Sequence, residues 1–126
     1  MKLSNLLVVN AIVALGYSIS FLLVPATVLS LYGVTQGPGE ILMGQFFGVA
    51  LIAIGLLTWF ARNVADSEAQ RAIILALLIS SIIGVIVAVL GTVSGVMNAV
   101  GWSAIGIYLL LALGYAYFQF MKPSAS

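Results

Sequence analysis

Four long apolar runs, separated by short polar stretches, set the pattern of this chain. The runs cover residues of about 3–24, 40–61, 68–90 and 98–121, and the charged residues lie only at their ends. Each run matches the ~20 residues that an α-helix needs to cross the hydrocarbon core of a bilayer. Backbone polar groups in lipid must be paired within the helix itself. The pattern therefore predicts an all-α integral membrane protein, an antiparallel four-helix bundle in a single transmembrane domain over residues 1–126.

The first run is interrupted near its end by Pro25. Proline lacks the backbone N–H and disfavours helical geometry in the residue before it, so we expect a kink or break there. A short helix at the membrane surface is expected over residues 26–32, ended by Gly33 in the left-handed conformation. The run is longer than the apolar core of a signal peptide, which is ~7–15 residues, so we interpret it as a span.

Local signals also mark the other helix ends. Asp66 or Ser67 is expected to cap the third span, and Ser67 with Gln70 matches the spacing of a capping box. The aromatic side chains that end the fourth span, Tyr115 and Phe118 among them, are expected to form a belt at the membrane interface.

Composition limits the chemistry available to the chain. It has 126 residues, of which 63% are hydrophobic and 6% charged, whereas soluble domains carry about 25% charged residues. It has no Cys and no His, which excludes disulfides, thiol redox pairs and imidazole ligands. No acidic residue lies within a span to mark a proton pathway. We therefore expect no enzyme activity, no catalytic residue, no cofactor and no metal, and the net charge of +1 gives no basis for nucleic-acid binding.

The basic residues predict an orientation. In a four-span chain the two termini and the middle loop share one side of the membrane. Lys2, Arg62, Arg71 and Lys122 all fall on that side. Because basic loops stay in the cytoplasm, we expect both termini to be cytoplasmic, in the plasma membrane of a bacterium or archaeon.

Two stripes of small residues predict close helix packing. Small residues let backbones approach, and packing rather than the hydrophobic effect drives helix association in lipid. The packing partner is either another span of the same chain or a neighbouring subunit. The stripe of the third run comprises Ala72, Ala76, Ser80, Gly84 and Ala88, and that of the second run comprises Gly44, Gly48 and Gly55.

Three polar residues stand out at or within the spans. Asn10 and Gln45 carry amides, which need hydrogen-bond partners in hydrocarbon. The simpler interpretation is an interhelical hydrogen bond, and the functional one is a polar pocket or pore lining. Glu40 is favoured by the helix dipole at the start of the second span. In a ring of subunits it would instead join Gln45 at the mouth of a pore.

Several segments in the first half of the chain are similar to those of a known group. They are Leu23-Val24-Pro25, Leu31-Tyr32-Gly33, Gly44-Gln45-Phe46-Phe47-Gly48 and Leu57-Thr58-Trp59-Phe60-Ala61-Arg62. With these segments the chain resembles small bacterial four-span integral membrane proteins of unassigned function. The resemblance implies the four-helix fold and carries no activity.

Three functional hypotheses remain open. The first is a structural or interaction protein that forms a homo-oligomer or serves as an accessory subunit of a larger membrane complex, with membrane lipids around it. The second is an oligomeric channel or small-molecule conduit lined by neutral polar residues. The third is binding of an apolar ligand of lipid or quinone type, which predicts a pocket with aromatic walls near Tyr17, Tyr108 or Tyr115.

Overall fold

The helices of the protein follow the four apolar runs. The computed structural model describes residues 2–121, so the expectation for Lys122 falls outside the described residues. The elements are α1 Leu3–Leu23, α2 Pro25–Leu31, α3 Pro38–Ala61, α4 Ser67–Val93 and α5 Gly101–Ala116, followed by a π-helical turn, Tyr117–Met121. Four helices, α1, α3, α4 and α5 with its π-helical turn, are long and apolar enough to cross a membrane. The chain is an all-α integral membrane protein, as the sequence predicts.

The break at Pro25 separates α1 from the short helix α2. Val24 leaves the helical region, with φ −134° and ψ 56°. Gly33 ends α2 with φ +73°, where the N–H of Gly33 donates to the Ser30 carbonyl at 3.0 Å and that of Val34 to the Leu29 carbonyl at 2.9 Å. These two hydrogen bonds together form a Schellman motif. The break at Val24 lets α2 fold back against α1 and α3, and the turn at Gly33 then directs the chain toward α3.

The start of α4 shows one correction to the sequence interpretation. Asp66 is the N-cap, and its side chain accepts a hydrogen bond from the Glu68 N–H at 3.2 Å. Gln70 therefore occupies the fourth helical position rather than the third, and it cannot close a capping box. Its side-chain amide donates instead to the Val64 carbonyl at 2.7 Å.

The long helices pack as two pairs, α1 with α3 and α4 with α5. We call the end of the bundle that holds the start of α1 and the end of α5 the terminus side, and the opposite end the loop side. The pairs meet at the terminus side in one core of buried residues, Leu3, Leu6, Leu7, Ala61, Ile74, Leu77, Leu78, Tyr115 and Phe118.

The loop side is arranged differently. A second cluster there, Ala14, Phe21, Val28 and Leu51, joins only α1, α2 and α3. The two pairs are bridged at this end by Asn98, whose backbone N–H donates to the Tyr32 carbonyl at 2.9 Å and whose side-chain amide donates to the Leu31 carbonyl at 3.2 Å. The pairs are thus joined at both ends, with a gap between them.

Tyr115 and Phe118 do not form an interfacial belt, contrary to the expectation from sequence. They are 0% and 3% exposed and belong to the core of the terminus side. Spaced three residues apart, they share the helix face turned to α1 and α4, and Tyr115 finds a hydrogen-bond partner there. Trp59 lies at the surface near this end, with the Arg62 guanidinium 3.8 Å from its ring centroid.

The outer surface of the bundle is strongly apolar. Large side chains on every long helix are more than half exposed, including Ile12, Phe60, Ile83 and Leu110. An apolar surface of this extent is unfavourable in water, and it matches the hydrocarbon of a bilayer. The outward faces of the helices are therefore suited to contact with lipid.

Candidate ligand-binding cavity

The gap between the two helix pairs is a cavity of about 350 Å³. Binding sites for small molecules have typical volumes of about 300–1,000 Å³. The cavity reaches from α2 and Met97 on the loop side down to Asn10 and Leu77 near the middle of the bundle. Its walls are mostly aliphatic and aromatic, and none of the described residues that line it is charged.

The glycine stripes explain why the gap lies between the pairs rather than within them. Gly44, Gly48 and Gly55 are buried and lie against α1: a Cβ at Gly55 would meet Leu15 at 2.6 Å, and one at Gly48 would lie 3.1 Å from the Ser18 carbonyl. The Ser18 hydroxyl donates to the Gly48 carbonyl at 2.9 Å. This stripe therefore packs two spans of one chain.

The stripe of α4 divides into two parts. At Gly84 the Tyr108 ring of α5 occupies the space of a side chain, with Cε1 2.6 Å from where a Cβ would stand. Ala88 is buried and lines the cavity, and Ser80 lines it as well. Ala72 and Ala76 are exposed. The half of the stripe near the loop side thus faces α5 and the cavity, and the other half faces outward.

A polar contact closes the deep end of the cavity. The side-chain amide of Asn10 donates to the Tyr115 hydroxyl at 2.6 Å, joining α1 to α5. Asn10 is 5% exposed and Tyr115 is fully buried. This contact is the interhelical hydrogen bond that the simpler interpretation of Asn10 predicted. Asn10 also lines the cavity.

A second polar level lies nearer the loop side. The hydroxyls of Tyr17 in α1 and Tyr32 at the end of α2 are 2.8 Å apart and hydrogen-bonded, and either can be the donor. Tyr108 reaches the same level from α5. It lies seven residues from Tyr115, as Tyr17 lies seven from Asn10, and α1 and α5 run in opposite directions. Seven residues rise about 10 Å along a helix, so both steps end at one height.

We call Tyr17, Tyr32 and Tyr108 the tyrosine layer. All three line the cavity. The Tyr108 hydroxyl has no hydrogen-bond partner among the side chains described, residues 2–120. The layer therefore places hydroxyl groups on an otherwise apolar wall, which is the usual composition of a site for a small organic molecule.

Glu40 and Gln45 are not brought to this site. Glu40 is exposed in the first turn of α3, where its carboxylate lies against Gly37, and Gln45 is half-buried. Neither lines the cavity, and Asn10 lies apart from both. No cluster of His, Cys, Asp or Glu suited to a metal ion occurs within residues 2–121.

Comparison with known proteins gives no assignment: no family model, curated protein or solved structure matches the chain.

Sequence reasoning named Tyr17, Tyr108 and Tyr115 as candidate pocket walls. Tyr17 and Tyr108 line the cavity, Tyr115 does not, and the third tyrosine on the wall, Tyr32, was missed. Tyr32 reaches the cavity because Pro25 and Gly33 fold α2 back over the end of α1. The sequence did contain a signal for the contact between Asn10 and Tyr115: the seven-residue step from Asn10 to Tyr17 equals the step from Tyr108 to Tyr115. Equal steps on antiparallel helices indicate two facing pairs, and the structure places a hydrogen bond at one of them.

Proposed function

We propose that the protein binds a small apolar molecule, taken from the membrane, in the cavity between its helix pairs. The observation that carries this proposal is the cavity itself. It has a volume of about 350 Å³, with the tyrosine layer on its wall near the loop side and Asn10 at its deep end. The third hypothesis expected aromatic walls near Tyr17, Tyr108 or Tyr115, and the first two of these residues line the cavity. Apolar molecules dissolve in the bilayer and reach such a site without crossing water.

The test uses tetralin, a two-ring hydrocarbon, as the probe. Purified protein in detergent should bind it saturably in equilibrium dialysis against protein-free micelles. Ala104 lines the cavity, so Ala104→Leu should fill part of the space and weaken binding. Ala53 is exposed on the outer face of α3, and Ala53→Leu serves as the control because it adds the same volume outside the cavity. Equal loss in both variants, or no saturable binding at all, would refute the proposal.

A second proposal concerns self-association through the outward part of the α4 stripe. Ala72 and Ala76 present small side chains at the surface with no helix of the same chain over them, which suits close approach of a second copy. The chain has no Cys, so Ala76→Cys gives a single reporter for oxidative cross-linking. Ala76→Cys should yield a dimer band, and Leu110→Cys, exposed on α5, should not. Equal cross-linking at the two sites would contradict a specific interface.

The orientation with both termini in the cytoplasm is also a proposal, supported by Lys2, Arg62 and Arg71 at the terminus side. Single cysteines at Asn63 and Ser94 test it, since both positions are exposed loop residues on opposite sides of the bundle. A membrane-impermeant thiol reagent added to whole cells should label Ser94→Cys and spare Asn63→Cys. The reverse pattern would invert the assignment.

A further inference from the structure

We propose that the ligand of this cavity is a neutral molecule with a carbonyl group, and that the tyrosine layer binds its oxygen. This inference rests on the proposed function, since it names the chemical class that the cavity takes. Quinones and isoprenoid ketones belong to that class. The fold leaves hydrogen-bond donors unused at the tyrosine layer.

The first group is the Tyr17–Tyr32 pair. Two hydroxyls carry two protons, and the bond of 2.8 Å between them uses one. Whichever residue donates, the other hydroxyl keeps a proton to offer. Neither hydroxyl has another hydrogen-bond partner among the described residues. A ligand in the cavity is therefore a natural source of the missing acceptor.

The second group is the Tyr108 hydroxyl, which has no hydrogen-bond partner among residues 2–120. Tyr108 lines the same cavity as Tyr17 and Tyr32, from α5. Two free donors thus face one level of the cavity from opposite helix pairs. A carbonyl oxygen has two lone pairs and offers no proton, so it matches two donors without leaving a polar group unpaired.

The charge of the ligand follows from the wall. No Lys or Arg is found among the described residues that line the cavity. A carboxylate or phosphate would be buried there without a counter-ion, and a buried unpaired charge is very costly. The ligand head is therefore uncharged, and the rest of the molecule is apolar to match the aliphatic wall.

Three probes with one ring skeleton test the inference: tetralin, 1-tetralone, which adds a carbonyl, and 1-tetralol, which adds a hydroxyl. Wild-type protein should bind 1-tetralone at least about fivefold more tightly than tetralin, the effect of one net hydrogen bond. Tyr108→Phe should remove most of that preference while leaving tetralin binding unchanged. Tyr117, exposed on the π-helical turn, provides the control, and Tyr117→Phe should keep the preference.

The outcomes separate this inference from the proposed function. Saturable tetralin binding without a preference for 1-tetralone would overturn the carbonyl assignment and leave the cavity as a binding site. Loss of binding for all three probes would overturn both. Tighter binding of 1-tetralol than of 1-tetralone would show that the cavity selects a donor instead. If Tyr108→Phe does not fold, Tyr32→Phe replaces it, and a preference that survives there would also overturn the inference.

Discussion

Replacing Asn10 with Leu should destabilise the protein more than replacing Tyr115 with Phe, although the two side chains share one hydrogen bond of 2.6 Å. Tyr115 is 0% exposed, so Asn10→Leu leaves its hydroxyl buried without this donor. An unsatisfied buried polar group costs about 1–3 kcal/mol. Leu has the same number of side-chain heavy atoms as Asn and the same branching at Cγ, so the shape of the side chain at the site changes little.

Tyr115→Phe should cost less, about 0.5–1.5 kcal/mol, the net value of one hydrogen bond. The Asn10 amide that it leaves behind lines the cavity, which is large enough to hold water as a substitute partner. The double variant replaces both polar groups with apolar ones. It should lie close to the stability of Tyr115→Phe, well short of the sum of the two single losses.

The measurement is the free energy of unfolding, from reversible titration with sodium dodecyl sulfate in mixed micelles followed by circular dichroism. All four proteins of the cycle are compared under one condition. Additive losses would show that the two groups do not interact in the folded protein. A larger loss for Tyr115→Phe than for Asn10→Leu would refute the idea that the cavity offers water to the amide.

Three further predictions concern single positions. Gly84→Ala should cost about 1–3 kcal/mol of unfolding free energy through overpacking, because a Cβ there would lie 2.6 Å from Cε1 of Tyr108. Gly16→Ala is the control: nothing lies within 4 Å of the added atom, so this change should not destabilise the protein. Gln119→Met should raise the thermal unfolding temperature, because the side-chain carbonyl of Gln119 is buried with no hydrogen-bond partner among residues 2–120; a lower temperature would contradict this reasoning. Gly33→Ala should lower it, because Gly33 has φ +73°, a conformation that costs other residues about 1–2 kcal/mol; an unchanged temperature would show that the turn relaxes.

The spans and their ends could be predicted because the signals are local. A bilayer requires helices of a certain length, so four apolar runs give four helices with little ambiguity. Pro25 and Gly33 act through their own backbone restrictions, and the structure shows the expected break and turn. The capping box failed for a local reason as well. One shift of the N-cap from Ser67 to Asp66 moves Gln70 to a different helix position.

The cavity could not be predicted in the same way, because it depends on which helices pair. Small residues occur in both α3 and α4, and the sequence does not say what covers each of them. In the structure the glycines of α3 pack against side chains of α1, and Gly84 packs against the ring of Tyr108. Each pair is therefore tight, while the space between pairs stays open on the loop side.

The sequence by itself determined that the protein is an integral membrane protein, how many spans it has, where Pro25 breaks the first helix, and that the chain has no Cys and no His. These follow from composition and from the backbone limits of single residues. Only the tertiary structure decided that Asn10 meets Tyr115, that Tyr17 meets Tyr32, and that a cavity lies between two helix pairs. Helix pairing in lipid is set by shape complementarity between distant side chains, and that complementarity exists only once the helices are in contact.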